Sequence, residues 1–203
     1  MDQSTRIERT VYGASLIVTP LLLATATLFW RGNSAGLVGG TLTVYSFTGW
    51  IGVFLAFSSR LRTRMPRFAP IGAALAILGC VAGTNFGVEG IVEGGLGLPN
   101  LTAAILAEAT AAETAAMLLA FFIPGLLFPC MLFVHAVALL RARAIPAWCG
   151  ALLCAGAIAF PASRIPRILW LAFVADALLL LPLIWLGFQF LANRNAPQAR
   201  EGW

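Results

Sequence analysis

Apolar runs of about 17–24 residues divide this chain, and that is the length that crosses roughly 30 Å of hydrocarbon at about 1.5 Å per residue. Helices in the cores of water-soluble proteins are seldom so long without a polar interruption. Composition closes off the soluble alternative. Of 203 residues, 60% are hydrophobic and 10% charged, against about 45–50% and about 25% in a soluble domain. With so few charges, no water-facing shell can be built around so much apolar matter. The pattern predicts an all-α polytopic transmembrane bundle in a single domain, residues 1–203, with polar termini at 1–10 and 193–203.

Six spans are expected, at about 11–30, 41–58, 68–88, 118–140, 144–160 and 168–191, with 101–117 either an amphipathic or re-entrant helix or an outer extension of the fourth span. Ala24-Thr25-Ala26 resembles a signal-peptidase site, but the apolar run continues through Trp30, which favours an uncleaved helix. The stretch 89–95, with Glu89, Glu93 and three glycines, reads as a flexible acidic loop. Residues 101–140 are too long for one ordinary span, and Pro124, Gly125 and Pro129 break them up.

Orientation follows from the arginines, since cytoplasmic loops are enriched in positive charge. Six spans with both termini inside place Arg6, Arg9, Arg60, Arg62, Arg64, Arg67, Arg141, Arg143, Arg194 and Arg200 inside and only Arg31, Arg164 and Arg167 outside, ten against three. A seventh span over 101–122 would give eight against five. The six-span topology is therefore preferred. It explains the net charge of +5 without a nucleic-acid partner, the lipid bilayer being the partner implied. The absence of lysine fits a GC-rich genome, and a bacterial cytoplasmic (inner) membrane is the expected location.

The third span carries Gly72, Ala76, Gly79, Gly83 and Gly87 at steps of four, three, four and four. These positions share one face, the small-x-x-x-small device by which transmembrane helices approach closely. The third helix is thus expected to be the most buried, with a tight helix partner or an oligomer contact on that face.

Chemistry-bearing residues are few. Asp176 lies about 12 Å into the sixth span, where a carboxylate costs on the order of 2.5–3.5 kcal/mol on insertion scales and needs compensation. Arg164 and Arg167 are near enough in sequence to supply it. Glu108 falls on a helical wheel with Leu101, Ile105, Ala112 and Ala115, among apolar neighbours, whereas Glu113 groups with Thr102, Thr110 and Thr114. Asp176, Glu108, Glu113, Arg164 and Arg167 form the candidate ligand- or ion-binding set. Two readings are open: an outward-facing acidic pocket shared by Asp176 and Glu108, or ion pairs that hold helices in register.

Cofactor chemistry is bounded by absences in the sequence. Without lysine there is no retinal Schiff base. His135 is the sole histidine, which excludes haem held by two histidines of one chain. It leaves a single axial ligand or a packed side chain as alternatives. Cys80, Cys130, Cys149 and Cys154 form no C-x-x-C pair and read as small buried hydrophobes. No H-E-x-x-H or G-x-S-x-G is present. The leading expectation is a small transporter, channel or ligand-binding membrane protein. A non-catalytic membrane subunit and an intramembrane enzyme acting on a lipid or isoprenoid are the alternatives.

Overall fold

The computed structural model describes residues 3–32, 34–97 and 101–192. The polar tail at 193–203, with Arg194 and Arg200, lies outside the described residues. Among the described residues there are eight α-helices: α1 Gln3–Leu28, α2 Gly36–Leu61, α3 Phe68–Leu96, α4 Leu101–Glu108, α5 Ala111–Met117, α6 Ile123–Arg141, α7 Ala147–Arg164 and α8 Leu169–Ala192. Six helical stretches among these residues are long and apolar enough to cross a membrane, with α5, a π-helical turn and α6 joined into one 31-residue run, Ala111–Arg141. The chain is an integral membrane protein built as an all-α bundle.

The six crossing helices form a closed ring. α1 packs on α2, α2 on α3, α3 on α6, α6 on α7 and α7 on α8, and α8 returns to α1. A bridge from α2 to α6 fills the centre. There Trp50 and Phe54 of α2 meet Phe128 of α6, and Phe57 packs on Phe54, all fully buried. The rings meet edge to face, with Phe128 5.0 Å from Trp50 and 5.9 Å from Phe54 between centroids, the arrangement that the aromatic quadrupole favours.

The glycine face of α3 is taken up inside the chain. A Cβ on Gly79 would lie 2.5 Å from the backbone nitrogen of Phe128, and one on Gly87 would lie 2.7 Å from the carbonyl of Gly40. The neighbours of the stripe are α6 and α2 of the same molecule. The most apolar 18-residue windows of α2 and α3 are equally buried, 44% each, so α3 does not stand out as the most buried helix.

The end of α3 and the start of the fourth span differ from the sequence reading, each for a local reason. α3 does not end at 88 but runs through Leu96, where Gly97 adopts the left-handed conformation (φ 65°) and donates its N–H to the carbonyl of Glu93. The acidic "loop" is therefore two further turns of helix. α5 starts at a capping box, in which the Thr110 hydroxyl accepts from Glu113 N–H and the Glu113 carboxylate accepts from Thr110 N–H. From there the helix is continuous into α6, so 111–117 is the extension of the fourth span, with only α4 set apart. Seven residues in, Leu118–Phe122 widen into a π-turn in which Ile123 N–H reaches the carbonyl of Leu118. Pro124 follows at once, and its ring cannot accept the ordinary spacing to the carbonyl four residues back.

Both tight turns after α6 and α7 end in an arginine with positive φ, Arg143 at 50° and Arg167 at 56°. In each, the next residue donates back five positions in the Schellman pattern, Ala144 N–H to the carbonyl of Leu139 and Ile168 N–H to that of Ser163. Glycine normally occupies that left-handed position.

Candidate functional site

Charged side chains segregate to the two ends of the ring. At one end Arg60 donates to the carbonyl of Ala144 (3.1 Å) and Arg64 to that of Ala142, while the Arg60 guanidinium lies 4.5 Å from the Phe190 ring centroid. Arg9, Arg60 and Arg64 border a cleft of about 390 Å³ there. Arg60 and Arg64 satisfy orphan carbonyls of the α6–α7 turn, a helix-capping role.

The other end holds Glu89, Glu93 and Asp176 and a larger cavity of about 540 Å³. Its deep walls are apolar, from Leu23 (α1), Phe47 (α2), Phe86 (α3), Leu126 and Pro129 (α6) and Phe160 (α7). Its upper rim carries Glu89 and Glu93 of α3, Thr102 of α4, Arg164 of α7 and Arg167 of the α7–α8 link. The π-turn and two prolines of α6 shape one wall, since Phe122, Gly125, Leu126 and Pro129 all line it. Beneath, Phe47, Phe128 and Phe160 close the floor, with ring centroids 4.8 Å (Phe47–Phe128) and 5.1 Å (Phe128–Phe160) apart. Below them stands the sealed aromatic layer of Trp50 and Phe54.

Asp176 stands behind Arg164 rather than in the cavity wall. Arg164 Nη2 lies 2.7 Å from Asp176 Oδ1 and donates to the Thr27 hydroxyl at 3.1 Å. That hydroxyl in turn donates to Asp176 Oδ2 at 2.6 Å. Both oxygens of the carboxylate are thereby satisfied across α1, α7 and α8. The guanidinium is sandwiched by aromatic faces, 4.5 Å from the Phe160 centroid and 5.4 Å from Trp30. Arg167 stands 5.8 Å from the same Trp30 ring and 3.9 Å from Glu89 Oε2. Glu89 Oε1 accepts from the Thr102 hydroxyl, and Glu93 Oε1 from the N–H of Leu101 at 2.9 Å.

Of the residues singled out in the sequence, the structure thus brings Asp176 to Arg164 and puts Arg164 and Arg167 on the rim. It does not bring Glu108 to Asp176. Glu108 ends α4 exposed, and Glu113 is exposed with its carboxylate engaged in the Thr110 cap. The wheel that put Glu108 among apolar neighbours assumed one helix from 101 to 117, and the break at 109–110 removes it.

Sequence reasoning missed Glu89, Glu93, Thr27 and Trp30. A signal for the first two was present, because glutamates four apart share a helix face; Gly90, Gly94 and Gly95 hid it by reading as a loop. The T-x-x-E spacing of Thr110 and Glu113 was likewise readable as a cap.

His135 is fully buried. Its Nδ1 lies 2.8 Å from the carbonyl of Met131, and its ring is enclosed by Phe54 at 5.2 Å and Phe68 at 5.2 Å. This is a packed side chain in the aromatic core. Among the described residues no group of three His, Cys, Asp or Glu is placed to hold a metal ion. No protein-family model, curated protein or solved structure matches the chain.

Proposed function

We propose that this membrane protein binds a small amphiphilic molecule in the cavity at its acidic end. The apolar body would lie against Leu23, Phe47, Phe86 and Phe160, and the polar head among Glu89, Glu93, Arg164 and Arg167. The observation that carries this reading is the cavity itself. At about 540 Å³ it falls within the range of about 300–1,000 Å³ of small-molecule sites, and like them it has apolar walls with a few convergent polar groups.

The arginine asymmetry favours placing this end outside the cell membrane. The sealed aromatic layer under the cavity favours a binding protein, or a carrier in an outward-open state, over an open channel, which needs a continuous wet path. Asp176 serves here as the anchor that fixes Arg164, in place of the acidic pocket it would have formed with Glu108.

The test uses the purified protein in lipid nanodiscs, with empty nanodiscs as the partition blank. Octanol, octanoate, octyl phosphate and octylammonium are titrated, and binding is followed by calorimetry. Saturable binding of at least one head group is expected, and it should be lost in Thr43→Phe, which fills the cavity from α2. Binding of none, or undiminished binding in a folded Thr43→Phe variant, would overturn the reading.

A further inference from the structure

Glu93 uses its oxygens differently from the other acids at this end. Asp176 has donors on both oxygens, and Glu89 is flanked by Thr102 and Arg167. Glu93 has a donor on Oε1 only. Its Oε2 has no hydrogen-bond partner among the described residues, although the residue is 3% exposed and lines the cavity. A buried acceptor left in that condition is costly and is rare in folded proteins.

The charges point the same way. Three carboxylates (Glu89, Glu93 and Asp176) stand with two guanidiniums (Arg164 and Arg167) in or directly behind the cavity wall. Arg164 is matched by Asp176 and Arg167 by Glu89, so by formal count Glu93 is the carboxyl group of the three with no guanidinium beside it. In surroundings of low dielectric, a surplus charge with an open acceptor is best compensated by a single cation that also donates a hydrogen bond.

We propose that the ligand of the cavity is a monocationic amphiphile, an ammonium or protonated amine on an apolar body, and that Glu93 Oε2 receives its N–H. This rests on the reading of the cavity as a binding site. Glu93 selects the head group. Arg164 and Arg167 sit close by and repel a second positive charge, so a dication is disfavoured. Anionic heads meet Glu89 and Glu93 on the rim and are disfavoured as well.

The titration in nanodiscs also decides this inference. Octylammonium is expected to bind the wild-type protein at least tenfold more tightly than octanol, with octanoate and octyl phosphate weaker still. Glu93→Gln should abolish the preference while keeping octanol binding, and Glu108→Gln, an exposed acid away from the cavity, should leave it intact. If octanol or an anion binds as tightly as octylammonium to the wild-type protein, the inference is overturned while the cavity reading stands. The same follows if Glu93→Gln retains the preference. Should Glu93→Gln fail to fold, the ranking of head groups on the wild-type protein still decides. Binding of none of the four overturns the cavity reading and this inference together.

Discussion

Arg164 and Asp176 meet at 2.7 Å between the end of α7 and the second turn of α8, with side chains 13% and 3% exposed. A pair this well sealed behaves differently when one member is removed than when both are. Losing one partner strands a charge in the bundle and costs about 3–5 kcal/mol, whereas apolar replacement of both is often close to neutral. Arg164→Leu and Asp176→Leu should each lower stability by about that amount, and the double variant should recover most of it. Reversible unfolding in mixed micelles measures all three; losses that simply add in the double variant would show that the two side chains are not coupled.

The strained arginines make a second contrast. A left-handed backbone costs an ordinary residue on the order of 1 kcal/mol, and glycine relieves it. Arg143 makes no contact at the acidic end, so Arg143→Gly should raise stability by about 1 kcal/mol or less. Arg167→Gly relieves the same strain but removes the neighbour of Glu89 and of the Trp30 ring. It should weaken amphiphile binding without a comparable gain in stability. Thermal unfolding and the nanodisc titration, run on both variants, check this. Equal effects on binding would deny Arg167 a part in the site.

Glycines of α3 are not equivalent. Gly79→Ala drives a methyl group to within 2.5 Å of the Phe128 backbone, while a Cβ on Gly95 has nothing within 4 Å. Gly79→Ala should cost about 1–3 kcal/mol by overpacking. Gly95→Ala should be neutral or gain up to about 1 kcal/mol from helix propensity. Unfolding midpoints of the two variants report the difference, and a tolerated Gly79→Ala would mean that α3 and α6 can move apart freely.

What could be read from the sequence is what depends on repetition. The length of the apolar runs gave six crossings, and the four-and-three spacing of small residues gave the contact face of α3. Asp176 was identified as needing a partner because a lone carboxylate inside a membrane is expensive, and Arg164 is that partner. The rest depended on the third dimension. Whether 89–95 coils or continues as helix is decided by where the left-handed residue falls, and it falls at Gly97 rather than at Gly90, Gly94 or Gly95. Ring closure of α8 onto α1 brings Thr27 to Asp176, 149 residues apart, and no periodicity along the chain foretells such a contact. The cavity is likewise a property of six helices at once. Its acids, Glu89 and Glu93, acquired a role only when α3 was long enough to carry them to the rim.

An experimental density map of the protein in nanodiscs containing octylammonium tests the binding cavity most directly. The account predicts an elongated feature between α1, α2, α3 and α7, its apolar end on the Phe47 and Phe160 rings and its head beside Glu93. A collapsed cavity, with α6 closed onto α1 and the rings of Phe86 and Phe122 filling the space, would contradict it.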